Sequence, residues 1–135
     1  MLACMILGAD GVQVGSRFVA SKESSSHDAF KQAVIDAKEG DTQLTLKELA
    51  PVRLIKNKFF SELQELYKTN PTIEQLKELL GRARAKKGMF EGDLENGELE
   101  IGQISGLIHD IKPVAQIVDD IMQEFKSAKK LVPHL

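Results

Sequence analysis

The stretch Gly8-Ala-Asp-Gly-Val-Gln-Val-Gly-Ser-Arg-Phe18 decides how this chain is read. Just before it, Leu2, Ala3, Met5, Ile6 and Leu7 form a short apolar helix end, and Gly8 suits the left-handed residue that follows a helix. Val12 and Val14 alternate with polar neighbours and predict a buried strand. Gly15 then lets the backbone approach a ligand or another segment. A strand that ends in Gly-Ser serves either as a phosphate cradle, where backbone N–H groups and a small hydroxyl surround a dianion, or as a plain turn.

Working outward, 135 residues with 42% hydrophobic and 28% charged side chains support a folded domain with a core. Eighteen basic against twenty acidic residues leave a formal charge of −2, which speaks against nucleic acid or an anionic membrane as partner. The single cysteine, Cys4, has no internal disulfide partner and suits a reducing compartment; its apolar surroundings predict a buried structural thiol. No window approaches the roughly 20 apolar residues of a membrane span. The N-terminus shows neither a basic leader nor a cleavage site, so the expectation is a soluble, cytoplasmic chain.

After the first stretch, Ser24-Ser25-Ser26 offers N-cap hydroxyls to a helix whose face is Phe30, Ala33, Val34 and Ala37, stopped at Gly40-Asp41. Residues 42–46 and 51–55 read as two short strands able to pair antiparallel, with Pro51 at a strand start. From Asn57 the period becomes helical, with Phe59, Leu63, Leu66 and Tyr67 on one face as far as Asn70-Pro71. Thr72 and Gln75 form a capping box for a second helix bearing Ile73, Leu76, Leu79 and Leu80, which closes at Gly81 or runs on to Gly88. The basic run from Arg82 to Lys87 reads as a solvated helix end that complements the dipole.

Residues 88–106 are Gly-rich and acidic, but Asp93-Leu-Glu-Asn-Gly-Glu98 lacks the ligand register of a calcium loop, and no metal site is assigned. His27, His109 and His134 stand alone and read as surface or capping residues. A short helix is expected at 102–108. Pro113 should open the last helix, with Val114, Ile117, Val118, Ile121, Met122 and Phe125 as its stripe. Leu131 to Leu135 reads as a frayed tail.

Residues Gly8 to Ser24 closely resemble the last barrel strand of the flavin-dependent nitronate monooxygenases, formerly 2-nitropropane dioxygenases, and of the related enoyl-acyl carrier protein reductases. The resemblance extends to Thr45–Asn57, similar to the segment leaving the barrel for a smaller helical domain, and to Lys86–Ile108, similar to the return segment. It implies an α+β, mostly helical chain: the final strand and helix of a (β/α)8 TIM barrel (1–41), a small helical lid (42–108) and a closing helix packed back on the barrel (109–135).

It also implies FMN as cofactor, with Gly15 and Ser16 donating to its phosphate and Gln13 beside it, while Gly102 and Gln103 line the flavin pocket. No catalytic residue carries over, because the family's upstream histidine has no counterpart and neither His27 nor His109 matches its position. A complete barrel takes about 250 residues, so the expectation is a fragment of a nitronate-oxidising enzyme, inactive alone. The alternatives are part of an enoyl reductase, or a non-enzymatic helical module that self-associates through strand edges at Val12 and Val14.

Overall fold

The computed structural model describes residues 1–131. The tail expected at 131–135 falls almost entirely beyond them, as does His134; Leu131 itself is exposed. The chain is a mixed α and β structure in which helices carry most of the regular backbone.

It begins with α1, Leu2–Ile6, closed as foreseen by a left-handed Gly8. Gly8 N–H donates to Met5 O and Ala9 N–H to Cys4 O, the paired bonds that satisfy carbonyls at a helix end. Cys4, expected to be buried, is exposed: so short a helix can turn only one side to the rest of the chain, and α1 turns another.

The expected strand is also absent. Residues 10–14 follow a bend at Asp10 without regular structure and make no backbone hydrogen bond among the described residues, and Val12 and Val14 are 37% and 38% exposed. Alternation supplies a two-faced segment, but a strand exists only where a neighbouring strand accepts its N–H groups. A single helical turn, α2 (Ser16–Val19), follows at once.

The next helix, α3, spans Asp28–Asp36, with Phe30 and Val34 fully buried. Its N-cap is His27, not the serine run. The His27 ring accepts from Ala29 N–H at 3.1 Å, while the Ser24 hydroxyl turns back to accept from Ser26 N–H. His27 N–H in turn donates to Met89 O, and its ring packs so closely on Gly92 that a Cβ there would lie 2.4 Å from it.

The two expected strands are present: β1 (Thr42–Thr45) pairs antiparallel with β2 (Val52–Ile55), Thr42 opposite Ile55 and Thr45 opposite Val52. The other edge of β2 meets residues 99–101, through Ile55 N–H to Leu99 O and Ile101 N–H to Arg53 O.

Helices α4 (Lys58–Tyr67) and α5 (Ile73–Leu80) form the expected hairpin, and the capping box at Thr72 and Gln75 is complete. The second arm does close at Gly81, at φ +65°, and a separate helix α6 occupies Arg84–Met89. Arg84 is not a solvated residue. Its guanidinium donates to Leu79 O and Leu80 O at the end of α5 and to Asn96 O, and it lies 4.4 Å from the Phe59 ring centroid. It thus answers the α5 dipole by direct bonds to its last carbonyls.

A 3-10 turn at Gln103–Leu107 and the long helix α7, Val114–Lys130, complete the chain. Pro113 stands one place earlier than expected, as the N-cap. Only Ile117 of the α7 stripe is buried; Val118 and Met122 are exposed. Among the described residues no helix is long and apolar enough to cross a membrane.

The core is divided. One cluster joins Ala20, Phe30 and Val34 to Leu99, Ile101 and Ile108, so α3 packs on residues that arrive about seventy places later in the chain. Two others, around Leu46, Leu63 and Leu76 and around Leu54, Phe59 and Phe60, share Val52, Leu79 and Leu80.

Candidate functional site

Gly15 is the N-cap of α2, and the adjoining Ser16 is its first residue. The first N–H groups of a helical turn have no partner within it. The amides of Ser16 and Arg17 meet no acceptor among the described residues. A Cβ built on Gly15 would meet nothing within 4 Å, so the space over this turn is open.

Ser16 is bound to the far end of the sequence. Its hydroxyl oxygen accepts from Gly102 N–H at 3.0 Å, a contact spanning 86 residues. Around this bond lies an open groove of about 390 Å³. One wall is Gly15, Ser16 and Val19; the other is Pro51, Val52 and Arg53 of the sheet with Glu100, Ile101 and Gly102. The pairing of residues 99–101 with β2 delivers Gly102 to this place.

Of the five residues singled out in the sequence, three line this groove: Gly15, Ser16 and Gly102. Gln13 is exposed in the unpaired segment before it. Gln103, the first residue of the 3-10 turn, is exposed on an adjacent apolar groove with Ile104 and Leu107. Neither glutamine side chain makes a hydrogen bond among the described residues. Arg53 and Glu100 escape the sequence reading. Arg53 donates to the backbone O and the hydroxyl of Thr42, and its only sequence signal is a place in a short β-prone run. His109 is exposed and lies outside this groove.

Two charged arrangements hold the groove's surroundings. Beneath α2, the Arg17 guanidinium donates to Ala20 O and Asp110 O and pairs with the Asp110 carboxylate. Lys112 joins Asp110 at 3.1 Å to Asp120 of α7 at 2.9 Å. Burial pushes the Asp110 carboxyl up, but Lys112 and Arg17 outweigh it and hold it below the usual carboxylate range.

Within the return segment, burial lifts the Glu98 carboxyl to about 7; Glu100 adds to the shift and Arg84 opposes it. Glu98 is 6% exposed and has no ion-pair partner among the described residues.

A model of the nitronate monooxygenase family matches residues 1–124. Over 124 residues the chain is 34% identical to a probable nitronate monooxygenase of Bacillus subtilis, covering 90% of this chain and 35% of that protein. A probable nitronate monooxygenase of Staphylococcus saprophyticus is 31% identical over the same length. FabK of Thermotoga maritima superimposes with a TM-score of 0.88 at 41% identity, covering all of this chain and 43% of that one. The chain therefore spans about a third of the length of the curated relatives it matches.

Proposed function

The chain belongs to the nitronate monooxygenase family, and from that premise we propose that it forms the carboxyl-terminal part of an FMN-dependent oxidoreductase acting on nitronates. The observation that carries this reading is the groove at Gly15, Ser16 and Gly102: two motifs 86 residues apart meet there through one hydrogen bond. Its donor set fits a phosphate. The amides of Ser16 and Arg17 and the Ser16 O–H are free to donate, and the missing Cβ of Gly15 leaves the approach open. Gly15 and Ser16 would hold the FMN phosphate, with Gln13 beside it, and Gly102-Gln103 would border the flavin. The flavin, when bound, supplies the redox chemistry, and the protein supplies binding and placement. Residues 42–108 would act as a lid between the barrel part, 1–41, and the closing segment, 109–135.

A second reading, part of a flavin-dependent enoyl-acyl carrier protein reductase, is favoured by the identity to FabK, 41% against 34% for the Bacillus subtilis relative. The acidic Glu98-Leu-Glu-Ile101 before Gly102 favours the nitronate reading. Turnover of a nitronate against turnover of an enoyl thioester with a nicotinamide cofactor, by the full-length flavin-loaded enzyme, separates them.

The cofactor assignment is tested by titrating the 135-residue chain with FMN and with riboflavin, which lacks the phosphate. Ser16→Ala is expected to weaken FMN binding roughly tenfold, the size of one charge-assisted hydrogen bond, and riboflavin binding much less. Equal affinity for FMN and riboflavin, unchanged by Ser16→Ala, overturns the reading.

A further inference from the structure

We propose that Ser16 is a positioning residue that couples an anion held at Gly15 and Ser16 to the placement of the Gly102-Gln103 turn; this rests on the flavin-phosphate reading above. A serine hydroxyl carries one donor and two acceptor sites. Here the acceptor side takes Gly102 N–H at 3.0 Å, while the O–H has no acceptor among the described residues and borders the open groove.

The closeness of this contact explains the glycine at 102. Its φ of −69° and ψ of 156° are extended backbone that any residue adopts, so conformation does not demand glycine. A Cβ would lie 2.6 Å from the Ser16 oxygen, so a side chain at 102 would push that hydroxyl aside and break the bond. Gly102 in turn is tied to the 3-10 turn, since its carbonyl accepts from Ser105 N–H at 3.0 Å. On its far side Gly106 packs against the backbone of Lys38 and Glu39.

The coupling follows from hydrogen-bond cooperativity. When the Ser16 O–H donates to a phosphate oxygen, its own oxygen becomes more electron-rich and accepts more strongly from Gly102 N–H. A bound phosphate thus tightens the anchor of the turn that begins at Gln103. By linkage, whatever holds that turn in place strengthens phosphate binding by the same factor.

Hydrogen exchange at the Gly102 amide of the 135-residue chain reads this directly, with Ser16→Ala and Ser16→Thr as the variants. Without ligand, Ser16→Ala is expected to speed Gly102 exchange roughly fivefold, as for loss of one hydrogen bond, and Ser16→Thr to restore it. Exchange unchanged by Ser16→Ala overturns the inference. Saturating FMN is expected to slow Gly102 exchange further in the unmodified chain but not in Ser16→Ala, whereas riboflavin does not slow it in either. FMN that binds without slowing Gly102 overturns the coupling and leaves the cofactor reading standing. No FMN binding, with Gly102 exchange still governed by Ser16, overturns the cofactor reading and the coupling with it.

Discussion

Residues 42–101 and the pair formed by residues 2–15 with α7 meet the same demand, to cover apolar side chains, in opposite ways. The first region supplies most of its own cover, with α3 added over Leu99 and Ile101. Leu54, Phe59, Leu63 and Leu76 are at most 2% exposed, β2 is bonded on both edges, and Asn57 serves two elements at once. Its side-chain Oδ1 caps α4 by accepting from Phe60 N–H, and its side-chain Nδ2 donates to Leu94 O and Gly97 O at 2.8 Å each. The second region leaves Met5, Ile6, Leu7, Val12, Val14, Val118 and Met122 exposed. Apolar patterning states that a segment requires a partner; it does not state where the partner is.

The contrast breaks most severely at Gly97. A Cβ there would lie 2.2 Å from the Gly88 backbone, where α6 crosses the return segment, and backbone cannot swing aside as a side chain can. Gly97→Ala is expected to cost about 3 kcal/mol in urea unfolding, well above an ordinary surface change. A cost below about 1 kcal/mol would show this region to be looser than its contacts imply.

A smaller effect, with a definite sign, belongs to Glu98. Its folded pKa, near 7, lies above the ordinary glutamate value, so the folded state holds a proton that the unfolded chain has released between those two values. Stability from this group is complete at acid pH, falls as pH rises toward 7, and is level above it. Glu98→Gln should therefore stabilise by about 1 to 2 kcal/mol at pH 8 and change little at pH 4, read as Tm against pH. Equal shifts at both pH values would mean that the carboxyl is solvated.

The smallest effect sharpens the other side of the comparison. Val12→Ser and Met122→Ser are expected to alter unfolding free energy by no more than about 0.5 kcal/mol each, because both side chains already face water. A loss above 1 kcal/mol for either would reveal cover from a second copy of the chain, and would depend on protein concentration.

The same contrast explains which features could be read from sequence. The β1–β2 pairing, the capping box at Thr72, the 3-10 turn and the stop at Gly81, one of two ends the sequence allowed, rest on signals within a few residues of the element they define. The Val12–Val14 strand failed because its ladder would have to come from elsewhere. The serine cap of α3 failed, while the reading of His27 as a surface or capping residue held: fixed by Met89 and Gly92 far along the chain, it took the place of three adequate serines. Arg84 looked like one more surface cation, and only the hairpin's geometry brings the α5 carbonyls and the Phe59 ring to it. At the site, Gly15, Ser16 and Gly102 were legible as motif members, yet no local pattern places Ser16 against Gly102 across 86 residues.

The unbonded run from Asp10 to Val14 gives α1 an unusual standing. Helix α1 lies against α7, and the backbone of residues 10–14 on the way to α2 makes no hydrogen bond among the described residues. No backbone bond within the run opposes a change of direction, so the path from α1 to α2 is set by the helices at its two ends and not by the run itself.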